Sequence, residues 1–321
     1  MGQSDLRGAR VTLALAPLLG QNAGMTKTPD ILCIGSVLWD VIGRAASHMR
    51  VGSDVPGRIT RLPGGVAMNI AMTLRRFGMT PALLTTIGRD AEGDELIGEA
   101  MRMGMICDYV YRSDDLPTDV YMAIEGANGL VAAIADAHSL EAAGEKILRA
   151  LANGTLGSEA APFAGPVALD GNLTEELLQT IATSPLFAAA DLRVAPASPG
   201  KAERLLVLLG HPSATLYVNL EEAGLLCQTT FHDSASATAA LIARGAYRVL
   251  VTDGGKSASE GTAGDIITQT PPAVMVTRVT GAGDTFMAAH IASEAQGMDR
   301  DAALARALNA AATYVSGETP L

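Results

Sequence analysis

Short apolar runs closed by glycine or a turn residue alternate along this chain with stretches whose apolar positions recur every three to four residues. Ile31-Leu32-Cys33-Ile34 stops at Gly35, and Pro81 to Ile87 stops at Gly88. Runs this short and this continuous predict strands buried on both faces. Val167 to Asp170, Leu192 to Ala195, Leu216 to Asn219 and Tyr247 to Thr252 predict further strands, and Val274 to Val276 reads as a short one. Between them, Val66 to Phe77, Gly93 to Met103, Thr174 to Thr183 and Ala235 to Arg244 carry helical spacing. Gly78 is a helix stop, and Thr174 begins a Thr-x-x-Glu-type start. Gly283 to Glu294 and Asp301 to Val315 predict two closing, alanine-rich helices. This alternation predicts an α/β fold with a mostly parallel sheet covered on both faces.

Two stretches break the rhythm. Residues 43–62 and 107–135 carry period-two patterns such as Arg58-Ile59-Thr60-Arg61-Leu62 and Val120-Tyr121-Met122-Ala123-Ile124. They predict antiparallel strands inserted into the α/β body, a small sheet able to act as a lid. Residues 1–29 read as a poorly ordered extension: Pro17 interrupts their one apolar run, and Met25 offers an alternative start just before the first strand. No later run is long and uncharged enough to span a bilayer.

Composition narrows the function classes. Of 321 residues, 48% are hydrophobic and 18% charged, the balance of a folded globular chain. A net charge of −11 gives no general attraction for nucleic acid or anionic membrane. A phosphate ligand would therefore need a local site of backbone N–H groups, cations or a metal. Cys33, Cys107 and Cys227 are widely spaced and form no C-x-x-C, which fits reduced thiols in a cytoplasmic protein.

Four motifs could carry chemistry. Thr280-Gly281-Ala282-Gly283-Asp284 opens a helix. Small residues there let the backbone approach a ligand, the free N–H groups favour an anion, and Asp284 could take a proton from an attacking hydroxyl. An ordinary capped helix would look the same. Gly64-Gly65-Val66-Ala67-Met68-Asn69 enters another helix, with glycines and an amide suited to a polyol. Asn219 and Glu222 follow a strand at a spacing able to hold the waters of a magnesium ion, or to begin a solvated helix. Thr252-Asp253-Gly254-Gly255-Lys256 could wrap phosphates, although no complete P-loop occurs.

In this order the motifs resemble the ribokinase-like (PfkB) family of carbohydrate and nucleoside kinases. Gly64, Gly65, Ala67, Asn69, Ala71, Gly78 and Gly88 fit its first signature, and Val279 to Ala289 its second. The resemblance runs from about residue 30 to the end. It implies one kinase domain over 30–321, a three-layer sandwich with a mostly parallel central sheet and a small β-sheet lid. It implies an ATP- and magnesium-dependent phosphotransferase acting on a small alcohol. Asp284 resembles the general base, and Gly281, Ala282 and Gly283 the anion hole. Asn219 and Glu222 match the motif that organises magnesium and phosphate. Thr252, Gly254 and Gly255 match the ATP loop, with Thr280 beside it and Asn309 bordering the adenine pocket. Asp40, Gly64, Gly65 and Asn69 resemble the contacts to sugar hydroxyls.

Within the family, Pro56 to Ile59, Asp170 to Glu176, Pro196-Ala197-Ser198 with Lys201, and Val279-Thr280 look most like pseudouridine kinases. That likeness adds Thr118, Asp170 and Asn172 as substrate contacts. Arg278 stands where many relatives have an acidic or amide residue supporting a monovalent cation, so either no such cation is needed or arginine supplies its charge. Ala195 replaces a frequent aspartate, and His290 is unusual in the second signature. The alternatives are a sugar kinase of ribokinase, fructokinase or keto-deoxygluconate type, an adenosine- or inosine-type kinase, or a sugar- or nucleotide-sensing protein. Unpaired lid strands also predict a homodimer.

Overall fold

The structure is a computed structural model that describes residues 28–50 and 52–317. The expectation about residues 1–29 therefore lies almost wholly outside the described residues. In chain order the strands are β1 Ile31–Ile34, β2 Leu38–Arg44, β3 Arg58–Gly64, β4 Pro81–Leu84, β5 Thr86–Gly88, β6 Tyr111–Ser113, β7 Val120–Gly126, β8 Gly129–Asp136, β9 Pro166–Asp170, β10 Asp191–Ala195, β11 Ala214–Asn219, β12 Arg248–Thr252, β13 Ala258–Thr262 and β14 Asp265–Gln269. The α-helices are α1 Val66–Arg76, α2 Ala91–Arg102, α3 His138–Ala143, α4 Arg149–Ala152, α5 Glu175–Thr183, α6 Leu220–Cys227, α7 Ser234–Ala243, α8 Ala282–Ala295 and α9 Arg300–Ser316.

The large sheet runs β14-β13-β12-β11-β10-β9-β1-β4. From β4 to β12 all neighbours are parallel, and β13 and β14 close one edge antiparallel. The parallel strands are apolar throughout because helices cover both faces. Leu32, Ile34, Val167, Leu169, Val194 and Leu216 share one core with residues of α5, α6 and α7. Ile31, Cys33, Leu83, Ala168, Tyr217 and Leu250 share the other with α1, α8 and α9. This is the three-layer architecture expected. Chain order reverses between β1 and β9, and at such a reversal a crevice opens outside the strands' C-terminal ends.

A four-stranded sheet, β3-β2-β7-β8, stands apart from the large one. Its strands fall in and beside the two period-two stretches. β2 starts earlier, at Leu38, because Trp39 is buried and donates its indole N–H to the Glu92 carbonyl at 2.9 Å. Register places Ile59, Met122, Ile124 and Ile134 on one face, all exposed, and Asp40, Leu62 and Tyr121 on the other. The single run read over Pro81 to Ile87 divides: β4 joins the large sheet, and β5 pairs with β6.

Two readings of the pattern require correction. Val274 to Val276 is not a strand. These residues are irregular and 40–81% exposed; they do not add to the open edge of β14, and the chain crosses instead to α9, where Thr277 N–H bonds the Val315 carbonyl at 2.8 Å. The β13–β14 hairpin was not anticipated, because Ala258-Ser259-Glu260-Gly261-Thr262 has no apolar pattern. Its fully buried Glu260 accepts from Arg248 Nε at 2.8 Å and Arg300 Nε at 2.9 Å, with His290 Nε2 at 3.4 Å. Burial raises the Glu260 pKa, but His290, Arg248 and Arg300 outweigh it and hold the carboxyl at about 2. Glu294 pairs with Arg193 and Arg248, and the Tyr217 hydroxyl lies between Arg193 (3.1 Å) and His290 Nδ1 (2.9 Å). Charges this deep are tolerated only when paired. The network fastens α8 to four strands and α9, and gives His290 a structural place.

Candidate active site

The first helical turn of α8 is the centre of the site. Gly281 caps it in the left-handed region (φ 87°), a conformation glycine adopts without penalty. The Ala282 N–H turns back to the Val279 carbonyl at 3.0 Å. Those of Gly283 and Asp284, and the Gly281 N–H before them, find no backbone acceptor among the described residues. They form an open set of donors at the positive end of a 14-residue helix.

Asp284 is half-buried and accepts a hydrogen bond from Asn69 Nδ2 at 2.9 Å. Burial pushes its pKa up to about 7; Asn69 opposes the rise, and the charges of Asp170, Asp40 and Glu222 add to it. The charges of acidic residues on β9, β2 and α6 thus reach Asp284 on α8. Asn69 reaches it because Gly65 starts α1 at φ 94°, and a Cβ on Gly65 would lie 2.4 Å from the Ser36 carbonyl oxygen.

Asp40 looks into the crevice from β2. Burial raises its pKa to about 6. Its carboxylate lies directly against Gly64, where a Cβ would be 2.1 Å from Asp40 Oδ2, so only glycine leaves that oxygen its place. Asp40 makes no hydrogen bond through its side chain among the described residues, and neither does Tyr121, its register partner on β7.

Asp170 and Asn172 are engaged inside the protein. Asp170 is fully buried at the end of β9 and accepts from Ser36 N–H at 2.7 Å, Ser36 Oγ, and Asn172 N–H at 2.8 Å. Asn172 donates to Ser36 Oγ at 3.0 Å and accepts from Lys201. Ser36 Oγ in turn accepts from the Val66 N–H at 2.9 Å. These residues tie β1, β9 and the start of α1 together at the reversal in strand order. Ser36 is the residue that sequence reasoning missed, since no pattern marks a serine after a strand as a hub. Thr118 is likewise engaged, donating to Asp90, the N-cap of α2, through N–H at 2.8 Å and Oγ1 at 2.6 Å.

Asn219 and Glu222 form a reciprocal capping box on α6: Asn219 N–H donates to Glu222 Oε2 at 2.8 Å, and Glu222 N–H to Asn219 Oδ1 at 2.9 Å. Burial raises the Glu222 pKa to about 7. Asn219 and Thr252 are register neighbours at the ends of β11 and β12, so the two motifs adjoin. Beyond Thr252, Gly254 (φ 54°) and Gly255 have open space where a Cβ would stand, leaving that loop's backbone accessible. Thr280 is exposed, its carbonyl accepting from the Tyr314 hydroxyl at 2.9 Å. Asn309 is exposed on α9 and donates to the Ala305 carbonyl at 2.9 Å. Arg278 lies over the Tyr314 ring, 3.8 Å from its centroid, and donates to the Tyr314 carbonyl at 2.7 Å.

An acidic crevice facing free helix N–H groups, with an accessible glycine loop alongside, suits a nucleotide whose phosphates bring their own counter-ion. Among the described residues no three His, Cys, Asp or Glu side chains converge to hold a metal alone. The pattern of the pfkB family carbohydrate kinases matches residues 28–319. The chain belongs to that family. It is a kinase. It is 30% identical over 305 residues to the uncharacterized sugar kinase YeiI of Escherichia coli (strain K12), covering 93% of this chain and 82% of that one. It is 27% identical to the pseudouridine kinase of the same organism, covering 82% and 83%. The ribokinase of Arabidopsis thaliana, solved with ribose and ATP, superposes with a TM-score of 0.73 over 90% of this chain and 93% of that one, at 23% identity. The fold is therefore ribokinase-like. Among the described residues, no helix of this kinase is long and apolar enough to cross a membrane.

Proposed function

We propose that this kinase transfers the terminal phosphoryl group of ATP to a primary hydroxyl of a nucleoside, with pseudouridine the preferred acceptor and pseudouridine 5′-phosphate the product. The observation that carries the phosphotransfer reading is Asp284: a carboxylate held by Asn69, with a pKa near neutrality, on the turn where the N–H groups of Gly281, Gly283 and Asp284 find no backbone acceptor among the described residues. A base with that pKa is matched to working pH. As the acceptor oxygen bonds to phosphorus, its proton passes to Asp284 and the bond to the ADP oxygen breaks. The N–H groups of Gly281, Gly283 and Asp284 are donors for the charge on the transferring group. Ala282, whose N–H is engaged with Val279, contributes shape rather than a donor.

Asp40 would accept hydrogen bonds from two vicinal hydroxyls, with Gly64, Gly65 and Asn69 completing that contact. ATP would lie along Thr252, Gly254, Gly255 and Thr280, with Asn309 towards the base. Magnesium, which would neutralise phosphate charge, would be reached through water by Glu222 beside Asn219. Asp170, Asn172 and Thr118 would shape the acceptor pocket through the contacts described above. Arg278 already sets a positive charge on the Tyr314 carbonyl at the end of α9, so the turn would need no monovalent cation. A kinase drawing on ATP would work in the cytoplasm. The apolar outer face of the small sheet would be covered by a second copy of the chain, since open apolar sheet faces need cover.

The likeness to pseudouridine kinase supports the nucleoside reading. The likeness to YeiI, named a sugar kinase, supports a second: phosphorylation of a free sugar. ADP release measured against pseudouridine, uridine, adenosine, ribose, fructose and 2-keto-3-deoxygluconate separates them. The proposal requires pseudouridine to exceed all others. A preferred sugar replaces it with the second reading, and no stimulation by any acceptor overturns the phosphotransfer assignment.

A further inference from the structure

Residues 277–281 hang on the last turn of α9. Thr277 donates to the Val315 carbonyl through N–H at 2.8 Å and Oγ1 at 3.1 Å, and the Arg278 N–H reaches the same oxygen at 3.3 Å. The Arg278 side chain clamps Tyr314 from above, and the Tyr314 hydroxyl donates to the Thr280 carbonyl at 2.9 Å. Gly281 is pressed against the same hydroxyl: a Cβ there would lie 2.6 Å from it.

We propose that Tyr314, braced by Arg278, is a positioning residue that fixes the Thr280–Gly281 peptide with its N–H directed towards the transferring phosphoryl group. The proposal rests on the reading of this turn as the phosphoryl site. In a trans peptide the C=O and the following N–H point in opposite directions. Tying the Thr280 carbonyl to α9 therefore turns the Gly281 N–H away from α9. Glycine at 281 makes the alternative cheap, because it accepts either sign of φ and its peptide can flip. A flipped peptide presents a carbonyl oxygen where a donor is needed, which repels the charge it should stabilise. One hydroxyl guards the orientation. Of the contacts to this turn, the one from Tyr314 is the contact that selects which way the peptide faces.

The test is Tyr314→Phe, which removes the hydroxyl and keeps the ring under Arg278. The primary readout is binding of ADP with aluminium fluoride and magnesium, a planar mimic of the phosphoryl group in transfer, followed by the emission of the single tryptophan, Trp39, or by calorimetry. Loss of one such hydrogen bond predicts about tenfold weaker binding of the mimic, with binding of ADP alone changed by less than about twofold. In turnover, kcat falls about tenfold while the acceptor KM stays within about twofold. Equal binding of the mimic by both proteins overturns the proposal. So does an equal loss for ADP alone, which would mark a purely structural role. Arg278→Lys keeps the charge but removes the planar brace. It should show the same split at about threefold, and it decides the matter if Tyr314→Phe does not fold. Because the mimic needs no acceptor, failure of the acceptor assignment leaves this test intact.

Discussion

Asp284 should cost the fold stability in return for its place in the site, and replacing it with asparagine should recover that stability in a pH-dependent way. Its folded pKa of about 7 stands well above the ordinary aspartate value of 3.8. Below about pH 4 the carboxyl is protonated in both states and there is no penalty. Between about pH 4 and 7 the unfolded chain gains by ionising while the folded one does not, so stability is lost with rising pH and then levels off. A pKa raised this far sets a ceiling of about 4 kcal/mol on the penalty. Solvent reaches this half-buried group, and a discount for that leaves roughly 1–2 kcal/mol between about pH 5 and pH 8. Asp284→Asn removes the ionisation and keeps an acceptor for Asn69. Melting curves of both proteins should show the variant gaining about 1.5–3 °C on the wild type over that interval. A difference in melting temperature that is the same at both pH values would refute the electrostatic reading of the crevice.

Three further outcomes follow from the same geometry. The kcat/KM for the acceptor should rise through an ionisation near pH 7 as Asp284 loses its proton and then level off; equal values at about pH 5.5 and pH 8 would contradict the base assignment. Glu260→Gln should destabilise the fold by about 3–5 kcal/mol, measured by denaturant unfolding, because Arg248 and Arg300 lose their buried partner. Exchanging potassium for choline should change the rate by less than about twofold, since Arg278 holds a fixed charge beside the turn.

The parallel strands and the helices over them were legible because each is a local pattern: an apolar run, a 3.6-residue period, a glycine stop. The order of the four motifs was legible for the same reason. Partners far apart in the chain were not. Asp170 reads as a free carboxylate at a strand end, yet the group it binds, Ser36, lies 134 residues earlier. Glu260 looks like a solvated carboxylate within its own segment until Arg248, His290 and Arg300 arrive from three other elements. Val274 to Val276 has the composition of a strand, but the chain just after it is tied to the end of α9 through the Val315 carbonyl, a partner that no local pattern announces. Tyr314 carries no motif at all. Its role depends on the end of α9 meeting the turn before α8.

The most direct measurement is turnover by Asp284→Asn with the best acceptor of the panel, alongside its affinities for ATP and for that acceptor. The account predicts kcat lower by at least about 10³-fold with both affinities within about threefold of wild type. A variant that keeps kcat within about tenfold of wild type would contradict it, and would move the proton transfer to another group.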